Sequence, residues 1–279
     1  VWRRPEAIAE SDDMASRVDI YNTSYGNYER DVYREVRRET YGEDYGQTSW
    51  VTTEESHEIP RLLELTPGCS ALEIGSGSGR YALYVANTAR CQVIGLDVNA
   101  EGVRNASALA ARQNLSAQVR FQQCDVSQPL PFPSASFDAV YSSDVFCHIP
   151  GRLELLKELW RVLKPGGRMI FSDALVVGGA LSNEEIATRS LIGYYLFVPP
   201  GENEKLIAAA GFRLLDVTDT TASAAQVARR WHDAREKWKS ELTALEGNTN
   251  FDGLQKFLRC VQTLTSERRL LRPVYQARK

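Results

Sequence analysis

Histidine is scarce in this sequence, and cysteine is scattered. The three histidines, His57, His148 and His232, lie too far apart for metal-ligand spacing, and the five cysteines show no paired spacing. Neither a zinc site nor a redox dithiol is therefore expected. The cysteines, odd in number, read as reduced and mostly buried small hydrophobes. Long apolar runs are missing too: nothing approaches the length needed to span a bilayer, and the first residues lack the basic-then-apolar order of a signal peptide. A cytosolic protein without membrane contact is the expectation. Positive charge is not in surplus. With 33 Lys and Arg against 36 Asp and Glu, the net charge is -3, which exerts no overall pull on nucleic acid. Arg229, Arg230, Arg268, Arg269 and Arg272 make the C-terminal part locally basic and read as a solvated helical face. No internal repeat or low-complexity linker divides the chain.

What is present suffices for one substantial core: 279 residues, 43% hydrophobic and 25% charged. From Ser70 to Asp173, apolar strands alternate with helical spacing, the pattern of βαβ units and a parallel sheet. Strands are predicted at Ala71–Ile74, Val93–Asp97, Val119–Gln123, Ala139–Tyr141 and Arg168–Ser172, with helices at Tyr81–Ala86, Glu101–Gln113 and Arg152–Val162. Lys164-Pro165-Gly166-Gly167 stops the last of these. The fold class expected is α/β, a Rossmann-like, mostly parallel seven-stranded sheet with helices on both faces. Around the core at 66–219, the pattern predicts a tyrosine-rich N-terminal helical cap over 1–65, a helical insertion over 220–268 and a final core strand within 269–279. A capping box opens a helix at Ser182. Helices are predicted at about 222–246 and on to about Thr265, with a loop at Gly247–Asn250 between them.

The most informative segment is ALEIGSGSGR, residues 71–80. A buried strand ends there in an acid, Glu73, and Gly75, Gly77 and Gly79 follow at alternate positions, where backbone must turn sharply and approach a ligand. The second strand ends in Asp97, placed to accept hydrogen bonds from both hydroxyls of a ribose. Asp125 follows the third strand. A dinucleotide fingerprint needs glycine at the sixth position of G-x-G-x-x-G, and here Arg80 stands there, which argues against a nicotinamide-dependent oxidoreductase.

Together these segments, with Phe137-Asp-Ala-Val-Tyr141 and Leu163-Lys-Pro-Gly-Gly167, resemble the motifs of class I S-adenosylmethionine-dependent methyltransferases over about residues 66–175. The resemblance implies S-adenosylmethionine as cofactor and S-adenosylhomocysteine as product. Its methionine part would lie over Gly75, Gly77 and Gly79 with Glu73 orienting it, its ribose on Asp97, and its adenine near Val98, Asp125 and Val126. Ser142, ending the fourth strand, would stand beside the reactive centre. Exocyclic-amine methyltransferases of nucleic acids and proteins carry an Asn/Asp-Pro-Pro-aromatic run there, and this chain has Ser142-Ser143-Asp144-Val145 instead.

The segment before the core loosely resembles the lid of phosphoethanolamine and sarcosine/dimethylglycine N-methyltransferases, in which a cap tyrosine and the histidine after strand four act near the acceptor. That resemblance matches Tyr28 to the tyrosine and places Tyr45, Gln47 and Trp50 in the lid. His148 is either a general base or a helix-entry histidine bonded to backbone. Asp144 either orients the acceptor or is a polar strand-end residue. No matching basic pair for a phosphate follows the fifth strand. Leu191–Pro200, with Tyr194, Tyr195 and Phe197, is either acceptor wall or ordinary helix core before a proline stop. The reading is methyl transfer to N, O or C of a small, partly apolar metabolite, with a homo-oligomer allowed. The alternatives are an RNA or protein methyltransferase and a cofactor-binding module without turnover.

Overall fold

The computed structural model describes residues 18–279. In chain order these form three cap helices, α1 (Tyr21–Gly26), α2 (Asp31–Tyr41) and α3 (Thr53–Leu62). The alternating core follows, with β1 (Ser70–Ile74), α4 (Arg80–Ala89), β2 (Gln92–Asp97), α5 (Ala100–Arg112), β3 (Val119–Gln123), β4 (Phe137–Ser142), α6 (Arg152–Val162) and β5 (Leu163–Ser172). Next come β6 (Val176–Val177), α7 (Asn183–Arg189), α8 (Glu202–Ala209) and β7 (Arg213–Asp219). The C-terminal part holds α9 (Thr221–Lys237), α10 (Lys239–Glu246), α11 (Asn248–Ser266), β8 (Leu270–Leu271) and β9 (Pro273–Arg278).

The seven-stranded sheet has the order β3-β2-β1-β4-β5-β9-β7, with β9 antiparallel to both of its neighbours and the other pairings parallel. The predicted α/β class and Rossmann-like sheet are what the chain adopts. Alternation along the strands divides the core: Leu72, Ile74, Val140, Met169 and Phe171 pack toward α6 and α8, while Ala71, Val93, Ala139 and Ile170 pack toward α3, α4 and α5. The chain reverses between β1 and β4, and the strand ends there open the crevice where open α/β sheets bind ligands.

A third apolar cluster joins the cap to the C-terminal helices: Tyr33, Val36, Tyr41 and Trp50 pack with Ala224, Trp231, Leu254, Phe257 and Val261. The stretch predicted as one helix to about 246 breaks at Trp238, whose indole N–H donates to Glu39 of α2 at 3.0 Å. The predicted loop at 247–250 shrinks to Gly247, and α11 starts at Asn248. Lys164-Pro-Gly-Gly does end α6, but it runs directly into β5 rather than forming a separate loop. Leu191–Pro200 is irregular, not helical, and Val198 bridges Val176. The capping box at Ser182 forms as expected. Among the described residues no helix is long and apolar enough to cross a membrane.

Candidate active site

The glycine loop between β1 and α4 is left-handed at all three glycines, with φ of 78° at Gly75, 51° at Gly77 and 79° at Gly79. Gly79 has a packing reason as well: a Cβ there would come within 2.5 Å of Ala106 and 2.6 Å of the Phe121 ring, so only glycine lets α5 and β3 close onto the turn. At Gly77 a Cβ would lie 2.8 Å from the Tyr25 hydroxyl, because α1 lies directly over the loop.

Asp97 ends β2 beside this loop. Its carboxylate accepts from the backbone N–H of Gly77 at 2.7 Å and of Asn99 at 2.8 Å, which fixes its orientation and leaves lone pairs free for further donors. Burial nevertheless pushes its pKa up. Glu73 is buried with one carboxylate oxygen unpartnered, and the Ser76 hydroxyl beside it is likewise unpartnered. Burial, with Asp97 nearby, pushes the Glu73 carboxyl up to about 8. Asp125 is exposed and accepts from Ser127 N–H at 2.9 Å, Val126 is buried, and Val98 is exposed at 68%. Two buried oxygens without partners, a protonated Glu73 and the Asp97 carboxylate around a tight glycine turn suit a ligand that brings hydrogen-bonding groups, hydroxyls among them.

The Glu73 shift has a consequence for stability. The folded protein keeps a proton at Glu73 up to about pH 8, whereas the unfolded chain releases it near the ordinary value of 4.5. The unfolded state therefore binds fewer protons between those two values, and stability falls as pH rises through that window, by a few kcal/mol at most. Denaturant unfolding at pH 5 and pH 8 should show this slope in the native chain and a flatter one in Glu73→Gln.

After β4, the 3₁₀ turn Phe146–His148 presents His148 toward the cap. Its Nδ1 lies 2.9 Å from the Tyr194 carbonyl and its Nε2 lies 2.9 Å from the Tyr21 hydroxyl. A carbonyl can only accept, so Nδ1 carries the proton and the Nε2 lone pair receives the Tyr21 O–H. Burial lowers the His148 pKa below its ordinary value and raises that of Tyr21, so both are neutral near pH 7. The Tyr195 ring packs against the imidazole with centroids 4.5 Å apart.

The structure thus places Tyr21, not Tyr28, against the histidine. Tyr28 lies beyond the end of α1 with its ring 4.2 Å from the Arg37 guanidinium carbon, and its buried hydroxyl has no partner beside Gly46 and Ser78. Tyr21 and Tyr25 are four residues apart on one face of α1, a spacing visible in sequence that groups them without choosing between them and Tyr28.

The Asp144 carboxylate is anchored within the protein: it accepts from Arg272 Nε at 2.9 Å, Trp50 N–H at 2.8 Å and Ser172 Oγ at 2.9 Å. Arg272 itself is fully buried, contrary to the solvated face expected for it, because it links Asp144 to Glu55 of α3. The other predicted lid residues make contacts within the protein. Trp50 packs its ring on Trp231 and Phe257. Tyr45 reaches Glu43 and His57, and its ring lies tilted against Tyr84 of α4 with centroids 4.6 Å apart. Gln47 spends its amide on Tyr45 N–H and the Glu43 carbonyl. The Ser142 hydroxyl donates to the Ile74 carbonyl at 2.9 Å and ties the ends of β4 and β1 together.

Comparison with known proteins agrees with this geometry. The methyltransferase domain family model matches residues 72–171. An O-methyltransferase, resE, of Aspergillus sclerotiorum is 34% identical over 62% of this chain and 66% of its own length; the match to another curated relative spans half of that relative. Among solved structures, the cyclopropane synthase MmaA2 from Mycobacterium tuberculosis superposes with a TM-score of 0.81 at 16% identity, over 93% of this chain and 97% of that one. Phosphoethanolamine N-methyltransferase 2 of Haemonchus contortus, in complex with S-adenosyl-L-methionine, gives 0.77 at 22% identity over 91% and 59%. At such identities the two structures speak for the fold alone, and the motifs and the family match carry the assignment: residues 72–171 are a methyltransferase domain of the class I, S-adenosylmethionine-dependent family.

Proposed function

We propose that this chain transfers a methyl group from S-adenosylmethionine to a nitrogen, oxygen or carbon nucleophile of a small metabolite, with His148 as general base. The observation that carries the reading is the His148 tautomer, held by the Tyr194 carbonyl so that a basic Nε2 faces Tyr21.

Glu73, Gly75, Gly77, Gly79 and Asp97 would hold the methionine part and the ribose, and Val98, Asp125 and Val126 would border the adenine. Bound there, the cofactor supplies an electrophilic methyl on a sulfonium. The chain's own residues do the rest. Tyr25 covers Gly77 and, with the Trp50–Asp144 hydrogen bond, keeps the cap seated and water out. An acceptor hydroxyl, as its bond to carbon forms, or an ammonium, before it attacks, gives its proton to the Tyr21 oxygen while Tyr21 passes its own to Nε2 of His148, so the tyrosine, its pKa kept high by burial, ends protonated. The small-molecule class is supported by the absence of a positive charge surplus and by aromatic Tyr194, Tyr195 and Phe197 beside the histidine.

The direct test is to incubate the purified chain with methyl-labelled S-adenosylmethionine and a panel of hydroxy and amino metabolites, and to follow the label by mass. Label in low-mass products supports the reading; label only in RNA or protein, or none despite cofactor binding, overturns it. Asp97→Ala is expected to weaken S-adenosylhomocysteine binding by about 1–3 kcal/mol, the cost of losing charged hydrogen bonds, read by calorimetry. Unchanged affinity would remove Asp97 from the ribose site.

A further inference from the structure

The buried arginines of this protein find carboxylates, with one exception among the described residues. Arg37 pairs with Asp44, Arg152 with Asp173, Arg235 with Glu246, and Arg272 with Asp144 and Glu55. Arg189, in the last turn of α7, is 1% exposed, and among the described residues it forms no ion pair and both Nε and Nη1 lack an acceptor. Its guanidinium sits among rings instead, with its central carbon 4.5 Å from the Tyr195 centroid, 4.9 Å from Phe257 and 5.8 Å from Trp50. Ring faces attract a cation but replace neither hydrogen-bond acceptors nor a counter-charge. The arrangement is therefore incomplete without an anion.

The place of this cation matters. Tyr195 is the ring shared by Arg189 and His148, 4.5 Å from each. An anion on Arg189 would be held one ring away from the basic Nε2 of His148. Resting on the methyl-transfer reading above, we infer that the acceptor carries a carboxylate, which Arg189 binds while the nucleophile on the same molecule meets Tyr21 and His148. The substrate class is a compact hydroxy- or amino-carboxylic acid with an apolar or aromatic body. A carboxylate fits better than a phosphate because, among the described residues, the site offers one free cation: the neighbouring Arg269 and Lys256 are engaged by Glu185 and Glu184, and Arg152 is engaged by Asp173. A single guanidinium neutralises a monoanion and leaves a dianion half-compensated.

The experiment uses the full chain saturated with S-adenosylhomocysteine and calorimetric titration of three probes: 4-hydroxybenzoate, the neutral 4-hydroxybenzamide, and phenyl phosphate. The acid should bind about tenfold or more tightly than the amide. Arg189→Met should erase that preference, and Arg189→Lys should keep part of it. Because Arg189→Met removes an uncompensated buried charge, it should melt no lower than the native chain, which separates loss of recognition from loss of fold. Equal binding of acid and amide, no binding of either, or acid binding undiminished in Arg189→Met overturns the inference, and tighter binding of phenyl phosphate replaces the carboxylate with a phosphorylated acceptor. If S-adenosylhomocysteine itself does not bind, the methyl-transfer reading falls as well; if it binds and the acid preference is absent, only the Arg189 assignment falls.

Discussion

His148→Ala is expected to lower the rate of methyl transfer about 100- to 10,000-fold, the span that a positioned general base contributes, while S-adenosylhomocysteine affinity stays within about twofold of native on the same reasoning. The imidazole touches the cap and the Tyr194 carbonyl, and none of its hydrogen bonds reaches the glycine loop or Asp97, so cofactor binding should not depend on it. Tyr21→Phe removes the hydroxyl but keeps the ring, and should cost less than the histidine change. The pH profile gives an independent reading. Since burial lowers the His148 pKa, activity of the native chain should rise through a value below the ordinary 6.5 and then level off. Steady-state rates across pH 5 to 8 check both points. A loss below about tenfold on removing the imidazole would mean that alignment of a good nucleophile, not proton removal, supplies the rate.

Arg272→Met should be the most damaging single change to stability, by about 3–5 kcal/mol in urea unfolding, the usual cost of stranding one partner of a buried ion pair. Two carboxylates depend on this guanidinium: Asp144 after β4 and Glu55 on α3. Asp144 also sits at φ 59°, a left-handed conformation that non-glycine residues hold only when their surroundings insist on it. Without Arg272, the charge at Asp144 loses its counterion and the turn loses the contact that fixes it. Adding Asp144→Asn to Arg272→Met should recover part of the loss, since the stranded charge is then gone. A loss under about 1 kcal/mol for the single change, the scale of an exposed pair, would mean that water reaches Asp144 when the arginine is absent.

What sequence makes legible here is what short-range pattern encodes. The strands, the glycine turn and the carboxylates at successive strand ends are local: each is declared by five to ten consecutive residues whose apolar run, glycine spacing and closing acid have one economical solution. The acceptor side is not local. Tyr21 meets His148 across 127 positions, Trp50 meets Asp144 across 94, and Arg272 meets Asp144 across 128. Several tyrosines compete for the place beside the histidine, and only the direction in which α1 crosses the sheet selects Tyr21 over Tyr28. A strand-end aspartate that serves an acceptor also looks the same in sequence as one that anchors a buried arginine. Arg272 reads as an ordinary surface charge, because whether an arginine is solvated or buried is decided by elements far away in the chain.

The position of β9 has a consequence for how this protein is made. It is the last strand in sequence, yet it lies between β5 and β7, and Arg272 stands immediately before it. During synthesis, β1 to β5 can pair as they emerge, so the larger part of the sheet can form early. Until residues 272–278 leave the ribosome, however, β7 lacks its neighbour and the carboxylates of Asp144 and Glu55 lack their cation. The nascent chain can therefore pair β1 to β5 well before Asp144 and Glu55 gain their cation, and β9 enters a gap already flanked on both sides.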